Sequence, residues 1–171
     1  MTSWRDARPT PSYDNDRTWS DLYLDELRRL IGPFLLMPSS LEQDRHEASD
    51  LVVLVAANAK IACRVRRPGY AEKYPGQFTV RSRRENGATT ELRKMLDGWG
   101  DWFFYGHATG IETRIHPWWL LDLKSFRAHL LRPDSRKVIK HAEQANGDGT
   151  FFRWFAIDTF PQDPRLVIAK G

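Results

Sequence analysis

The first apolar pattern along the chain is a helical stripe. Residues 18–34, "TWSDLYLDELRRLIGPF", carry apolar side chains at the spacing of an amphipathic helix: Trp19, Leu22, Leu27, Leu30, Ile31 and Phe34. Gly32 and Pro33 are expected to end that helix. Residues 37–49 are polar and rich in turn formers, which predicts a loop.

Two strand-like runs follow the loop. Residues 51–56 are apolar throughout, which is typical of a strand buried on both faces, and residues 58–59 can supply a turn into residues 60–66. The second run alternates, and successive side chains of a strand face opposite sides. Three apolar side chains are therefore expected to face the core: Ile61, Cys63 and Val65. Arg64 and Arg66 are expected on the opposite face.

Residues 77–83, "QFTVRSR", alternate in the same way. Phe78 and Val80 are expected in the core, whereas four polar side chains face away from it: Gln77, Thr79, Arg81 and Arg83. If this strand neighbours residues 60–66, the arginines of both strands line one sheet face.

The rest of the chain predicts further helices, single strands and one hairpin. Residues 88–100 predict a helix whose apolar side is Leu92, Met95, Leu96 and Trp99. An aromatic strand at 101–108, a helix opened by Pro117, a hairpin formed by 137–144 and 150–158, and a final strand at 165–170 follow. The fold class expected is α/β (α+β sandwich), a mixed β-sheet flanked by helices with a C-terminal β-hairpin.

Composition and charge narrow the class of protein. A chain of 171 residues with 41% hydrophobic content predicts one globular domain, over residues 18–171, behind a flexible N-terminal lead-in, residues 1–17. The single cysteine and the lack of an apolar leader or spanning segment favour a cytoplasmic protein with no membrane partner. The net charge is +4, and residues 60–84 carry most of the excess, with Glu72 as their only acid. This clustering points to an anionic partner.

The element order and two short stretches resemble the PD-(D/E)XK nuclease-like superfamily, which has a restriction-endonuclease-like core. Asp50, before "LVVLV", matches the family's first acid, and "IACRVRR" matches the strand that carries its (D/E)xK element. The resemblance covers roughly residues 19–107. In the family, these carboxylates bind Mg²⁺, and the metal with the lysine activates water against a phosphodiester.

This chain departs from that motif, because arginine stands at both the acid and the lysine positions, Arg64 and Arg66. Arginine cannot ligate Mg²⁺. The resemblance still allows an active Mg²⁺-dependent endonuclease if a carboxylate has migrated: Asp50 and Glu91 then bind the metal, and Arg66 takes the lysine's role. Glu47 and Glu26 are further candidates for the second acid.

The favoured alternative is a degenerate, non-cleaving member that needs no cofactor and binds DNA or RNA. Four arginines then contact phosphates: Arg64, Arg66, Arg81 and Arg83. Tyr70, Tyr74 and Phe78 are near enough in sequence to stack on bases. A third hypothesis is a phage or mobile-element protein whose arginine face docks on an acidic protein. Each candidate residue also has a purely structural explanation. The arginines can form the solvated face of a sheet, and Asp50 can cap a turn. An acid such as Glu91 is favoured near the start of a helix whatever its function.

Overall fold

The computed structural model describes residues 18–19, 21–38, 51–53 and 59–171. The predicted lead-in, residues 1–17, and Asp50 lie outside these ranges. Helix α1 spans Leu24–Ile31 and confirms the first predicted helix, and a 3-10 turn at Gly32–Leu35 follows it. Among the described residues, no helix is long and apolar enough to cross a lipid bilayer.

Strand partners differ from the predicted ones. Strand β1 (Leu36–Pro38) pairs antiparallel with β2 (Leu51–Val53), whereas β3 (Ile61–Arg66) pairs in parallel with β5 (Trp102–Ala108). The predicted pairing of β2 with β3 is therefore wrong for the described residues. Local alternation marks a segment as a strand, but the same backbone groups can pair with any neighbour that packing brings alongside.

A four-stranded mixed sheet forms the centre of the fold. Its order is β3-β5-β6-β9, with β6 at Ile115–Asp122 and β9 at Val167–Lys170. Only the β3–β5 pair of this sheet is parallel. Strand β3 lies at the sheet's edge, and Cys63, expected to be buried, is exposed there. The prediction of a mixed sheet is confirmed.

Residues 117–122 are strand and not the predicted helix. Their apolar run, "WWLL" at 118–121, is buried from both sides within β6, and such a run does not distinguish strand from helix. The β5–β6 ladder shifts register beside Pro117, at an irregularity where a residue without an N–H is tolerated. Helix α4 (Leu123–Leu131) begins only after Asp122, whose carboxylate accepts the Ser125 N–H at 2.6 Å.

A three-stranded antiparallel sheet packs beside the first, in the order β4-β8-β7. Its strands are β4 (Gln77–Arg84), β7 (His141–Ala145) and β8 (Thr150–Ala156). The β7–β8 pair confirms the C-terminal hairpin. The first hairpin strand starts later than predicted, because Pro133 opens helix α5 (Pro133–Val138) just before it.

Two apolar clusters cover the two faces of the four-stranded sheet. Alternate residues of β5 divide between them, since Phe103 joins one cluster and Phe104 the other. The first cluster joins the two sheets to α4 and to the short helix α3 (Glu91–Leu96), and includes Phe78, Val80, Phe126 and Phe155. The second cluster holds α1 against the opposite face through Leu27 and Ile31. The chain is thus an α+β sandwich, as predicted.

Candidate nucleic-acid interface

Arg64 projects from β3 to a carboxylate on α3. Its Nη2 donates to Glu91 Oε2 at 2.5 Å, and the backbone N–H of Arg81 donates to the same oxygen at 3.0 Å. Both side chains are about three-quarters buried, with 23% of Arg64 and 24% of Glu91 exposed. One carboxylate oxygen therefore joins β3, β4 and α3, a contact across two sheets that the sequence did not reveal.

A basic cleft opens around this ion pair. It has a volume of about 470 Å³ and is lined by five cationic side chains: Lys60, Arg64, Arg81, Arg84 and Lys94. Among the residues that the structure describes, Glu91 is the only acid that lines it. The Nε atom of Arg84 is buried and has no hydrogen-bond partner among the described residues. We call this set of residues, with Trp99, the basic cleft.

Trp99 lies at the edge of the basic cleft and not in the core, where the helical stripe predicted it. It is 67% exposed and lines the cleft. The cause is the end of α3: Gly98 takes φ +91°, and the Trp99 N–H bonds to the Lys94 carbonyl at 3.0 Å while the Gly98 N–H bonds to that of Met95 at 3.3 Å. This is a Schellman ending, which turns the next residue out of the helical stripe. The glycine at 98 was the sequence signal for it.

Arg66 does not share the cleft with Arg64. It lines a second hollow of about 360 Å³, and its guanidinium lies 4.3 Å from the ring centroid of Tyr70. Five aromatic residues contribute to the walls of this hollow: Tyr70, Tyr74, Tyr105, Phe152 and Trp154. We call it the aromatic pocket. Two arginines on one face of β3 thus open onto different hollows.

Arg83 contributes to neither hollow. Its guanidinium stacks 3.5 Å from the ring centroid of Phe151, and its Nε lies 3.8 Å from a carboxylate oxygen of Glu143. The β4–β8 ladder shifts register between Arg81 and Arg83, so simple alternation fails there. The predicted neighbouring of β3 and β4 is also wrong, since β4 belongs to the other sheet. Of the four predicted arginines, the structure brings Arg64 and Arg81 together.

The aromatic pocket contains a buried imidazole. His107 is 2% exposed, and neither ring nitrogen has a hydrogen-bond partner within the described chain. Burial, and then the nearby charge of Arg66, lowers its pKa to about 4, so the ring is neutral at pH 7. Burial also raises the pKa of Tyr105, against the opposing effects of Arg66 and of the hydrogen bond with Thr79.

The predicted metal ligands are only partly visible. Glu91 lies in the basic cleft, where two donors already contact one oxygen, and Asp50 and Glu47 fall outside the described residues. Glu26 is bonded to Arg29 on α1 at 2.7 Å. No group of three or more His, Cys, Asp or Glu side chains comes together within the described residues. Because Mg²⁺ needs several oxygen ligands, those residues alone do not form a magnesium site at Glu91.

Comparison with known families and proteins adds no relative. No protein-family model, curated protein or solved structure matches this chain. The function therefore has to be inferred from the basic cleft and the aromatic pocket themselves.

Proposed function

We propose that this chain binds nucleic acid through the basic cleft and does not cleave it. The observation that carries the proposal is the charge of the cleft: five cations and one carboxylate line it, and that carboxylate is already bonded to Arg64. Guanidinium groups bind phosphate bidentately, and a groove of one charge sign attracts a polyanion from a distance. The buried Nε of Arg84, which has no hydrogen-bond partner in the described ranges, gives the cleft a donor to a phosphate oxygen.

Trp99 favours a strand with accessible bases as the ligand. Its exposed indole lies at the rim of the cleft, where a base next to a bound phosphate can stack on it. Basic grooves edged by aromatic side chains are typical of proteins that bind single strands or unpaired ends. Phosphate and stacking contacts carry little sequence information, so we expect weak sequence preference, in DNA or in RNA.

The proposal extends to the class of protein. The element order and "IACRVRR" support a degenerate PD-(D/E)XK-like protein in which arginines have replaced the acid and the lysine. The single cysteine, exposed on β3, suits a reducing compartment such as the cytoplasm. A non-cleaving nucleic-acid-binding protein of this kind suits a phage or another mobile element.

Two other functions remain as alternatives. Glu91 lies in the cleft at the position expected for a migrated acid, which supports a Mg²⁺-dependent endonuclease. Arg66, which would take the lysine's role in that enzyme, lines the aromatic pocket and not the cleft. The cleft also suits an acidic protein partner. Cleavage assays with Mg²⁺ and Mn²⁺ address the first alternative, and a pull-down that survives nuclease treatment supports the second.

The test of the proposal compares two adjacent residues of α3. Lys94 lines the cleft, whereas Arg93 is bonded to Asp97 at 2.8 Å and does not line it. Both are exposed, so neither change should alter folding. We expect Lys94→Gln to weaken binding of a labelled single strand about fivefold near 0.1 M salt. It should also reduce the slope of log K against log salt by about 0.7, the effect of one lost phosphate contact.

Arg93→Gln removes the same charge from the same helix and should leave both quantities unchanged. Equal losses from the two variants would mean that net charge, and not the cleft, governs binding. The proposal is refuted if the parent protein shows no salt-dependent binding to single-stranded or duplex DNA or RNA.

Replacing Trp99 separates stacking from charge. We expect Trp99→Ala to weaken binding of a single strand about tenfold, since one stacked base contributes about 1–3 kcal/mol. The salt slope should stay constant, because no cation is lost. Thermal unfolding should change little, since the indole is 67% exposed. Fluorescence anisotropy at two salt concentrations measures both effects, and a changed slope with unchanged affinity would contradict the stacking role.

A further inference from the structure

The aromatic pocket has the dimensions and walls of a small-molecule site. Its volume of about 360 Å³ lies within the range of ligand pockets, and aromatic residues from α2 (Tyr70–Lys73), β5 and β8 line it. Three side-chain amides also reach it: Gln77, Gln144 and Asn146. No carboxylate of the described residues lines it. The ligand that fits is flat, carries both donors and acceptors, and is not cationic.

Arg66 gives the pocket one positive charge. It has no ion-pair partner among the described residues, and its only ring contact there is with Tyr70. Stacking on tyrosine holds the guanidinium plane but does not neutralise its charge. Its donors remain available for an anionic group, and a phosphate matches their fork geometry.

His107 gives a second and independent sign of a ligand. It lines the pocket, is 2% exposed, and lacks partners for both ring nitrogens within the described residues. Its neighbour Tyr105 already has a partner, since its hydroxyl lies 3.2 Å from Thr79 Oγ1. A neutral imidazole offers one donor and one acceptor, and each side-chain amide offers N–H donors and a carbonyl acceptor. This combination matches the edge of a nucleobase.

We propose that the aromatic pocket binds a single nucleobase between its aromatic walls, with the attached phosphate on Arg66. The ligand is thus a nucleoside monophosphate unit, either free or at the end of a strand. This site is separate from the basic cleft and does not depend on the function proposed for it. The base stacks on Trp154 or Phe152, and the amides and His107 contact its edge.

Titration with small probes tests the proposal, with tryptophan fluorescence and calorimetry as readouts. The probes are the common nucleoside monophosphates, a nucleoside without phosphate, ribose 5-phosphate and inorganic phosphate. At least one monophosphate should bind at least tenfold more tightly than each fragment, because base and phosphate contacts combine in one site. If every monophosphate binds no better than inorganic phosphate, the proposal is wrong.

Matched variants locate the binding. Trp154→Leu and Arg66→Gln should each weaken monophosphate binding about tenfold or more, whereas Trp99→Leu and Lys94→Gln, in the basic cleft, should not change it. Arg66→Lys keeps the charge but loses the planar guanidinium fork. It should therefore weaken monophosphate binding less than Arg66→Gln does. Unchanged affinity in Trp154→Leu and Arg66→Gln, with native thermal unfolding, would overturn the assignment.

A short oligonucleotide distinguishes the two sources of the ligand. If the pocket takes the end of a strand, a trinucleotide with a terminal phosphate should bind more tightly than the monophosphate and compete with it. If the pocket takes a free nucleotide, the trinucleotide should not displace the monophosphate, because its second residue has no place in the pocket. Lys94→Gln weakens strand binding in the cleft alone, so failure of either site can be recognised without the other.

Discussion

Lowering the pH from 7 to 5 is expected to reduce the free energy of unfolding by about 2 kcal/mol through His107 alone. The pKa of this histidine falls from 6.5 to about 4 on folding, because the ring is buried and lies near Arg66. The unfolded chain therefore takes up a proton as the pH falls below 6.5, while the folded chain stays neutral until about pH 4. The stabilisation is complete above pH 6.5 and is lost as the pH falls through this window.

Denaturant unfolding at pH 5, 6, 7 and 8 measures this dependence, with His107→Leu as the comparison. The free energy of unfolding of the variant should depend less on pH. It should still fall somewhat as the pH falls, because burial also lowers the pKa of His141. The difference between the two proteins is the readout, since carboxylates contribute equally to both. Parallel profiles would show that the pKa of His107 is the same in the folded and the unfolded protein, and would contradict the lowered value. A bound nucleotide that contacts the neutral ring should steepen the loss.

The alternation of β3 and β4 predicted both segments as strands and part of their burial pattern. Phe78 and Val80 are buried as expected, and Arg64 shares a strand face with Arg66. The partner of each strand could not be predicted, because alternation fixes which side chains share a face but not which strand lies alongside. Alternation therefore did not predict that β3 pairs with β5 and not with β2, or that β4 belongs to a different sheet.

The candidate sites were predictable as a set of residue types but not as an arrangement. The sequence indicated that arginines of residues 60–84 face away from the core, and this segment does supply arginines to both hollows. It did not show that Arg64 and Arg66 open onto different hollows, since that depends on where β4 and α2 pack. Arg83 was misplaced because a bulge adds one residue between it and Arg81. His107, near the end of β5, is buried because β5 is covered on both faces, and the sequence alone did not indicate that.

Removing the carboxylate of Glu91 is expected to have opposite effects on folding and on binding. Glu91→Ala leaves the Arg81 N–H and the Arg64 guanidinium without their shared acceptor, which should cost about 2–3 kcal/mol of unfolding free energy for this largely buried pair. Phosphate binding should tighten about threefold at low salt, because the one acid that lines the cleft within the described part of the chain is gone and Arg64 is released. Chemical denaturation and anisotropy titration measure the two effects.

A double-mutant cycle and a neighbouring ion pair give the controls. If Glu91 acts mainly through Arg64, Glu91→Ala combined with Arg64→Ala should be little less stable than Glu91→Ala alone. Asp97→Ala breaks the exposed pair with Arg93 on the same helix and should cost at most about 0.5 kcal/mol. Glu91→Gln decides between the functions, because a migrated metal ligand requires cleavage by the parent and its loss in this variant. Tighter binding by Glu91→Gln with no cleavage in either protein instead means that the carboxylate restrains Arg64 until a phosphate takes its place.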